Sequence, residues 1–195
     1  MPIPAFTIDG VIPPFIGPHG PGGAAQDMTP YAVSALEVVH TLGGTDRRRA
    51  ILIGWLHFRV QLRAAGIANG FQWLDGSFVE QKDPNDMDVV TFFRRPPNAQ
   101  SDAEIALWAN ARHHLFDHAT IKVNFLLDAF PVDLGGDVET IVNVSRYWLG
   151  LFSHRRVDSL WKGMLQVRLE DAADDAAAFA ALAAPATAST AGGTP

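Results

Sequence analysis

Two aspartates, Asp86 and Asp88, flank a single methionine and lead into the apolar run Val89–Phe93. The β-branched and aromatic residues of this run predict a buried strand. Successive side chains of a strand point to opposite faces, so Asp86 and Asp88 share one face while Met87 points into the core. Neighbouring carboxylates repel each other, and Mg²⁺, which prefers oxygen ligands, would remove that repulsion. Taken alone, the pair is also compatible with a turn residue followed by a solvated edge position.

A Gly-Ser pair, Gly76 and Ser77, lies eight residues before these aspartates and follows the short apolar run Phe71–Leu74, which predicts another strand. Glycine allows a ligand to approach the backbone closely, and amides at a turn or helix start form a nest for anions. Gly76 and Ser77 are therefore candidate phosphate-binding residues. Ser77 can also be interpreted as the capping residue of a short helix, which is compatible with the same role.

A third aspartate, Asp128, lies within the apolar stretch 121–132. Alternation of residue types predicts a strand there, with Lys122 and Asp128 on one face and Ile121 and Val123 on the other. A lone carboxylate in an apolar strand needs a partner. Lys122 could neutralise the aspartates or contact phosphate, and a surface position is the alternative interpretation.

Positive charge is concentrated near the C-terminal end of the chain. His154, Arg155 and Arg156 precede the alternating stretch 161–169, which predicts a strand beginning around Lys162. The bidentate fork of arginine suits phosphate, so Arg155 and Lys162 join Lys122 as candidate nucleotide-binding residues, with solvated loop charge as the alternative.

Two further groups of residues invite a binding role. Arg47–Arg49, at the start of a predicted helix, form either a solvated charge run or a docking patch for an anionic partner. His113, His114 and His118 lack the spacing and the additional ligands of a closed zinc site, so no metal role is predicted for them.

Together, Gly76-Ser77, the eight-residue spacer, Asp86-Met87-Asp88 and the later Asp128 resemble the signature of the DNA polymerase β-type nucleotidyltransferase superfamily. The resemblance covers roughly residues 30 to 170. A wider set of segments makes the chain similar to a poorly characterised bacterial branch of that superfamily. These segments are Gly70–Trp73, Thr91–Phe93, Tyr147-Trp148 and Ser153–Arg156. The resemblance implies an α/β (α+β) nucleotidyltransferase fold, in which a small mixed sheet carries the three aspartates and helices pack against one face.

The resemblance also implies a chemistry. Asp86, Asp88 and Asp128 would hold two Mg²⁺ (or Mn²⁺) ions, and Gly76 and Ser77 would seat the β- and γ-phosphates of an NTP. The reaction would move an NMP to an acceptor hydroxyl on a protein, a tRNA end or a small molecule. Small members often act beside a partner, including in toxin–antitoxin and phage-defence pairs. The alternative is a non-catalytic module that uses the nucleotidyltransferase fold for binding or interaction.

Composition limits the alternatives. A chain of 195 residues suits one domain, and the absence of cysteine excludes disulfides and thiolate metal ligands. The net charge of −6 argues against broad DNA binding through a cationic surface. No apolar run reaches the length of a membrane span and the start lacks the basic region of a signal peptide, so we expect a cytoplasmic protein without membrane contact.

The predicted organisation is a Pro/Gly-rich arm (1–29), a single nucleotidyltransferase-like domain (30–184) and a disordered tail (185–195). Within the domain, periodicity and capping residues predict helices at 30–42, from Thr45 or Asp46 to near Gly66, and at 101–116, 137–152 and 171–184.

Overall fold

The part of the chain that the structure describes is built around a mixed sheet of five strands. The structure, a computed structural model, describes residues 2–18 and 20–184, so the predicted tail at 185–195 lies outside the described residues. The strands are β1 (Tyr31–Val33), β2 (Gly70–Asp75), β3 (Met87–Phe93), β4 (Leu127–Asp133) and β5 (Leu165–Arg168), in the spatial order β1-β5-β2-β3-β4. β2 runs antiparallel to both β3 and β5, whereas β3 and β4 are parallel, as are β1 and β5. The predicted α/β class with a mixed sheet is confirmed.

Within the described residues, six α-helices accompany the sheet, and the local sequence explains where each one begins. They are α1 (Ala35–Leu42), α2 (Asp46–Ala64), α3 (Asp102–Asn110), α4 (His118–Phe125), α5 (Val138–Phe152) and α6 (Ala172–Ala183). A serine, threonine or aspartate side chain caps every one of them by accepting a hydrogen bond from a backbone N–H of the first turn. The capping box predicted at Ser101 and Glu104 is present, although α3 ends at Asn110 and a separate 3₁₀ turn, His113–Leu115, follows it.

Helices cover both faces of the sheet, which corrects the expectation that they pack against one face. One face contacts the large core of α1, α2, α4 and α6, to which β3 contributes Val89 and Phe93. Val90 and Phe92 point the other way and pack with Trp148 of α5. β3 is therefore buried on both sides, which is why apolar residues occupy both faces of Val89–Phe93 and do not alternate with polar ones.

The strand predicted over 121–132 is wrong for its first half. Residues His118–Phe125 form α4, because Asp117 caps the helix and Ile121 and Phe125, four residues apart, bury one helical face. Leu126 adopts a left-handed conformation (φ 59°) that ends the helix and turns the chain into β4. The apolar residues of this stretch satisfy both periodicities, and the cap decides between them.

The helix predicted from residue 30 also begins later than expected. Tyr31–Val33 is a short strand, and α1 starts only after Ser34, whose hydroxyl accepts from Glu37 N–H. Further upstream, Val11 and Ile12 are buried, and the Ile12 carbonyl accepts a hydrogen bond from Gly163 N–H. The N-terminal segment thus contributes to the core beside β5. Among the helices described, none has the length and apolar character needed to cross a membrane.

Candidate active site

Three aspartates from neighbouring strands form a row across one face of the sheet. Asp88 in β3 is the register partner of Asp75 in β2 on one side and of Asp128 in β4 on the other. Strand alternation puts all three on the face that α5 covers, and Asp86, two residues before Asp88, lies at the same edge. We call the three aspartates predicted from the sequence, Asp86, Asp88 and Asp128, the acidic trio. Asp75 belongs to the row but not to this trio.

The acidic trio lines a cavity of about 390 Å³ at this edge of the sheet, here called the acidic cavity. All eight residues predicted for the site line it: Gly76, Ser77, Asp86, Asp88, Lys122, Asp128, Arg155 and Lys162. The structure therefore brings together residues that the sequence separates by more than eighty positions. It adds residues that sequence reasoning did not select, among them Asp75, Glu80 and Arg156.

Gly76 makes room for one member of the trio. It follows β2, opens the 3₁₀ turn Gly76–Val79 and has a φ of +76°, a conformation that favours glycine. A Cβ at this position would overlap Asp88 Oδ2 and lie 2.8 Å from Asp88 Cγ. Because Gly76 has no side chain, the Asp88 carboxylate can occupy the space where a Cβ would otherwise lie.

The carboxylates influence one another electrostatically. Burial raises the pKa of Asp88 to about 6, and the charges of Asp128 and Asp86 add to this shift, while Arg156 and Lys162 oppose it. Ionisation of Asp88 is therefore disfavoured in the protein alone, and a positively charged ligand bound beside it would favour the ionised form.

Lys162 lies beneath the Gly76 turn rather than free in the cavity. Its side chain is 2% exposed, and its Nζ lies 3.0 Å from the Gly76 carbonyl oxygen, 3.1 Å from Asp75 Oδ1 and 3.5 Å from Glu80 Oε1. The contact with Asp75 is an ion pair whose angles fall outside hydrogen-bond geometry. A buried ammonium needs such partners. We expected Lys162 to bind phosphate directly. Its ammonium group instead contacts Asp75, Glu80 and the Gly76 carbonyl, and so fixes the turn that contains Ser77.

Asp75 shares this buried ammonium with Glu80. Burial raises the pKa of Asp75 to about 7, because the loss of solvation outweighs the opposing charge of Lys162, and the negative charge of Asp88 adds a smaller contribution in the same upward direction. Sequence reasoning missed Asp75 because it ends an apolar strand, where it was not distinguished from a turn residue.

Lys122 and His118 reach the acidic trio from α4. Lys122 Nζ lies 2.9 Å from Asp86 Oδ2 and 3.5 Å from Asp128 Oδ2, and His118 Nε2 contacts the other oxygen, Asp128 Oδ1. Phe130 supports the His118 ring, with 5.5 Å between ring centroids. Lys122 was predicted on the strand face of Asp128, but it meets the trio from the helix. The sequence could have indicated His118 as a site residue, because it begins a helix that leads directly into β4 and Asp128.

The donor set suits a hard divalent cation. In the part of the chain that the structure describes, no three histidine or acidic side chains are already arranged as ligands of one metal ion. Lys122 lies between Asp86 and Asp128, and its side chain, 47% exposed, is free to turn outward. The remaining observations, an all-oxygen donor set and the space left by Gly76 beside Asp88, fit Mg²⁺ or Mn²⁺.

The predicted Arg155 also lines the acidic cavity. Arg155 pairs with Asp158 and donates a hydrogen bond to the Asp9 carbonyl, so it ties the 153–163 loop to the N-terminal segment. Its neighbour Arg156 also lines the cavity and acts electrostatically on Asp88. Arg156 is therefore better placed than Arg155 to meet an anionic ligand.

Arg47, Arg48 and Arg49 all donate hydrogen bonds to backbone carbonyls of other segments, although Arg47 is exposed and Arg49 half-buried. Arg48, 7% exposed, donates to the carbonyls of Phe78, within the Gly76 turn, and of Glu80 and Lys82, just after it. Arg47 donates to the carbonyls of Pro84 and Asn85, directly before Asp86, and Arg49 to those of Leu182 and Ala184. The first two arginines thus hold the loop that joins Ser77 to Asp86.

Fold and site together define an α/β protein with an acidic cavity at one edge of a mixed sheet. The model of a family of unknown function, DUF6932, matches residues 4–168, and the chain belongs to that family. No curated protein and no solved structure matches the chain.

Proposed function

We propose that the protein is a metal-dependent nucleotidyltransferase that moves an NMP from an NTP to an acceptor hydroxyl. The new bond joins the acceptor oxygen to the α-phosphorus, the bond between the α- and β-phosphates breaks, and pyrophosphate leaves. The observation that carries the proposal is the position of Asp88 and Asp128, which are register partners on parallel strands beside the Gly76 turn. The resemblance described above supplies the reaction class. The acidic cavity is lined both by carboxylates, which suit cations, and by Arg156, which suits an anion.

Each residue takes a role that its position supports. Asp86, Asp88 and Asp128 would hold two Mg²⁺ or Mn²⁺ ions, which when bound neutralise charge on the entering and leaving oxygens. The backbone and hydroxyl of Ser77 would orient the terminal phosphates, and Arg156, which lines the same cavity, would also bind the phosphates. Asp128 would accept a hydrogen bond from the acceptor hydroxyl at a carboxylate oxygen.

The resemblance implies three possible classes of acceptor: a protein hydroxyl, a tRNA end or a small molecule. A cytoplasmic toxin–antitoxin or phage-defence setting belongs to the same proposal. A single screen separates the acceptors, because transferred label appears on protein, on RNA or in the small-molecule fraction.

The test is transfer of label from each α-³²P-labelled NTP, with Mg²⁺ or Mn²⁺, to the protein itself, to total tRNA and to a lysate. We expect transfer by the wild type and a loss of about 100-fold in Asp88→Asn, which corresponds to about 2.7 kcal/mol. Asp102→Asn is the matched control, because Asp102 is exposed on α3 and does not line the acidic cavity. Undiminished transfer by Asp88→Asn would refute the proposal.

One observation favours the second candidate, a non-catalytic nucleotide-binding or interaction module. Lys122 already pairs with Asp86 and Asp128, and His118 contacts the other oxygen of Asp128, so the protein's own side chains occupy part of the trio. Such a module would bind nucleotide or a partner without label transfer, and Asp88→Asn would leave partner capture unchanged.

A further inference from the structure

Lys122 is held beside the acidic trio by the way α4 joins β4. Ile121 and Phe125 anchor α4 in the core, and the left-handed Leu126 turns the chain directly into β4. This short connection places Lys122 near Asp128, while the distal part of its side chain remains accessible to solvent. The helix is fixed, and the ammonium group at the end of its flexible stem is movable.

The ammonium contacts the oxygens that a cation bound between strands would use. It lies 2.9 Å from Asp86 Oδ2 and 3.5 Å from Asp128 Oδ2, two carboxylates from different segments. A divalent ion coordinated by the same two oxygens would be within a few ångströms of the ammonium, and two positive charges at that distance repel each other. Lys122 and a metal ion therefore compete for the same pair of oxygens.

We propose that Lys122 is an internal counterion of the acidic trio, which a metal–nucleotide complex displaces more readily than a free metal ion does. A free cation leaves the displaced ammonium with no new partner. A nucleotide offers it phosphate oxygens, so nucleotide and metal strengthen each other's binding, and this coupling is reciprocal. The nucleotide half of this inference rests on the proposed function, whereas the competition with metal does not.

The test measures binding of Mn²⁺ alone, by the electron paramagnetic resonance signal of the free ion. We expect Lys122→Met to bind Mn²⁺ about two- to fivefold tighter than the wild type, the range expected when a partly exposed ion pair is removed. Lys122→Arg keeps the charge and should retain the wild-type affinity. Lys82→Met is the matched control: it removes the same charge from the same cavity, but Lys82 pairs with Glu80 and not with the trio, so the affinity should change less.

A second titration adds an ATP analogue whose α,β-bridge cannot be cleaved. The analogue should tighten Mn²⁺ binding more in the wild type than in Lys122→Met, because only the wild type has an ammonium to transfer to phosphate. Unchanged or weaker Mn²⁺ binding by Lys122→Met in the absence of analogue would overturn the counterion role. Tighter Mn²⁺ binding without any effect of the analogue would leave that role standing and would overturn the nucleotide half of the inference, whereas label transfer from each NTP tests the proposed function separately.

Discussion

Replacing Gly76 with alanine perturbs the acidic trio without altering any of its carboxylates. The new Cβ would overlap Asp88 Oδ2 and lie 2.8 Å from Asp88 Cγ. The backbone of β3 cannot move away easily, because Asp88 is paired with Asp75 on one side and with Asp128 on the other. The Asp88 carboxylate must therefore rotate out of its position beside the turn.

The expected cost has two separable parts. An alanine at a φ of +76° costs about 1–2 kcal/mol of stability, and in a domain of this size each kcal/mol lowers Tm by roughly 2–4 °C. A displacement of about 1 Å in a catalytic group lowers rates by about 100-fold. Gly76→Ala should consequently lose nucleotidyl transfer almost completely while remaining folded.

Gly17→Ala is the control that isolates backbone strain. Gly17 has a comparable φ of +88°, but a Cβ there would meet nothing closer than Asp27 Oδ2 at 3.8 Å. Thermal denaturation should show similar losses for the two variants, while label transfer should fall only in Gly76→Ala. Equal transfer activity in both variants would refute the argument that Asp88 must occupy the space beside the turn.

Three further predictions concern stability. Asp175→Asn leaves the buried Arg59 without its carboxylate partner, so urea denaturation should show a loss of about 3–5 kcal/mol, and a loss below about 1 kcal/mol would contradict this role. Arg48→Met removes the donor to three loop carbonyls and should cost about 2 kcal/mol or more, with faster proteolysis after Phe78; unchanged proteolysis would count against the loop-holding role. The pKa of Asp75 is raised from 3.8 to about 7, so the folded protein holds a proton that the unfolded chain releases. The free energy of unfolding should therefore fall as pH rises from about 4 to about 7. Asp75→Asn should reduce this dependence of the unfolding free energy on pH. An identical slope in the variant would show that another group titrates.

The sequence was most informative where local chemistry decides the structure. The end of β2, the Gly76 turn and the start of β3 were predictable, because a glycine-containing turn and apolar strand residues act within a few positions. The caps of α2 and α3 were visible for the same reason. The predicted row of aspartates still lacked Asp75, whose significance depends on its strand partner Asp88 and not on its neighbours in sequence.

Long-range contacts were beyond the reach of pattern reasoning. Nothing near Arg48 in sequence indicates that its guanidinium reaches carbonyls about thirty residues away. Lys162 likewise gave the signal of an exposed basic residue, although its burial depends on Asp75 and Glu80 approaching from another part of the chain. A charged residue can be assigned to surface or interior only when its partners are known.

The trio converges even though the element before Asp128 was predicted incorrectly, and the register of β3 and β4 explains why. Met87 and Leu127, both fully buried, are register partners at the start of the two parallel strands, so the next residues, Asp88 and Asp128, are necessarily side by side. A slip of one residue would turn Asp128 to the opposite face. The apolar pair therefore fixes the geometry of the carboxylates, and the chain leading to β4 can be helix or strand without changing it.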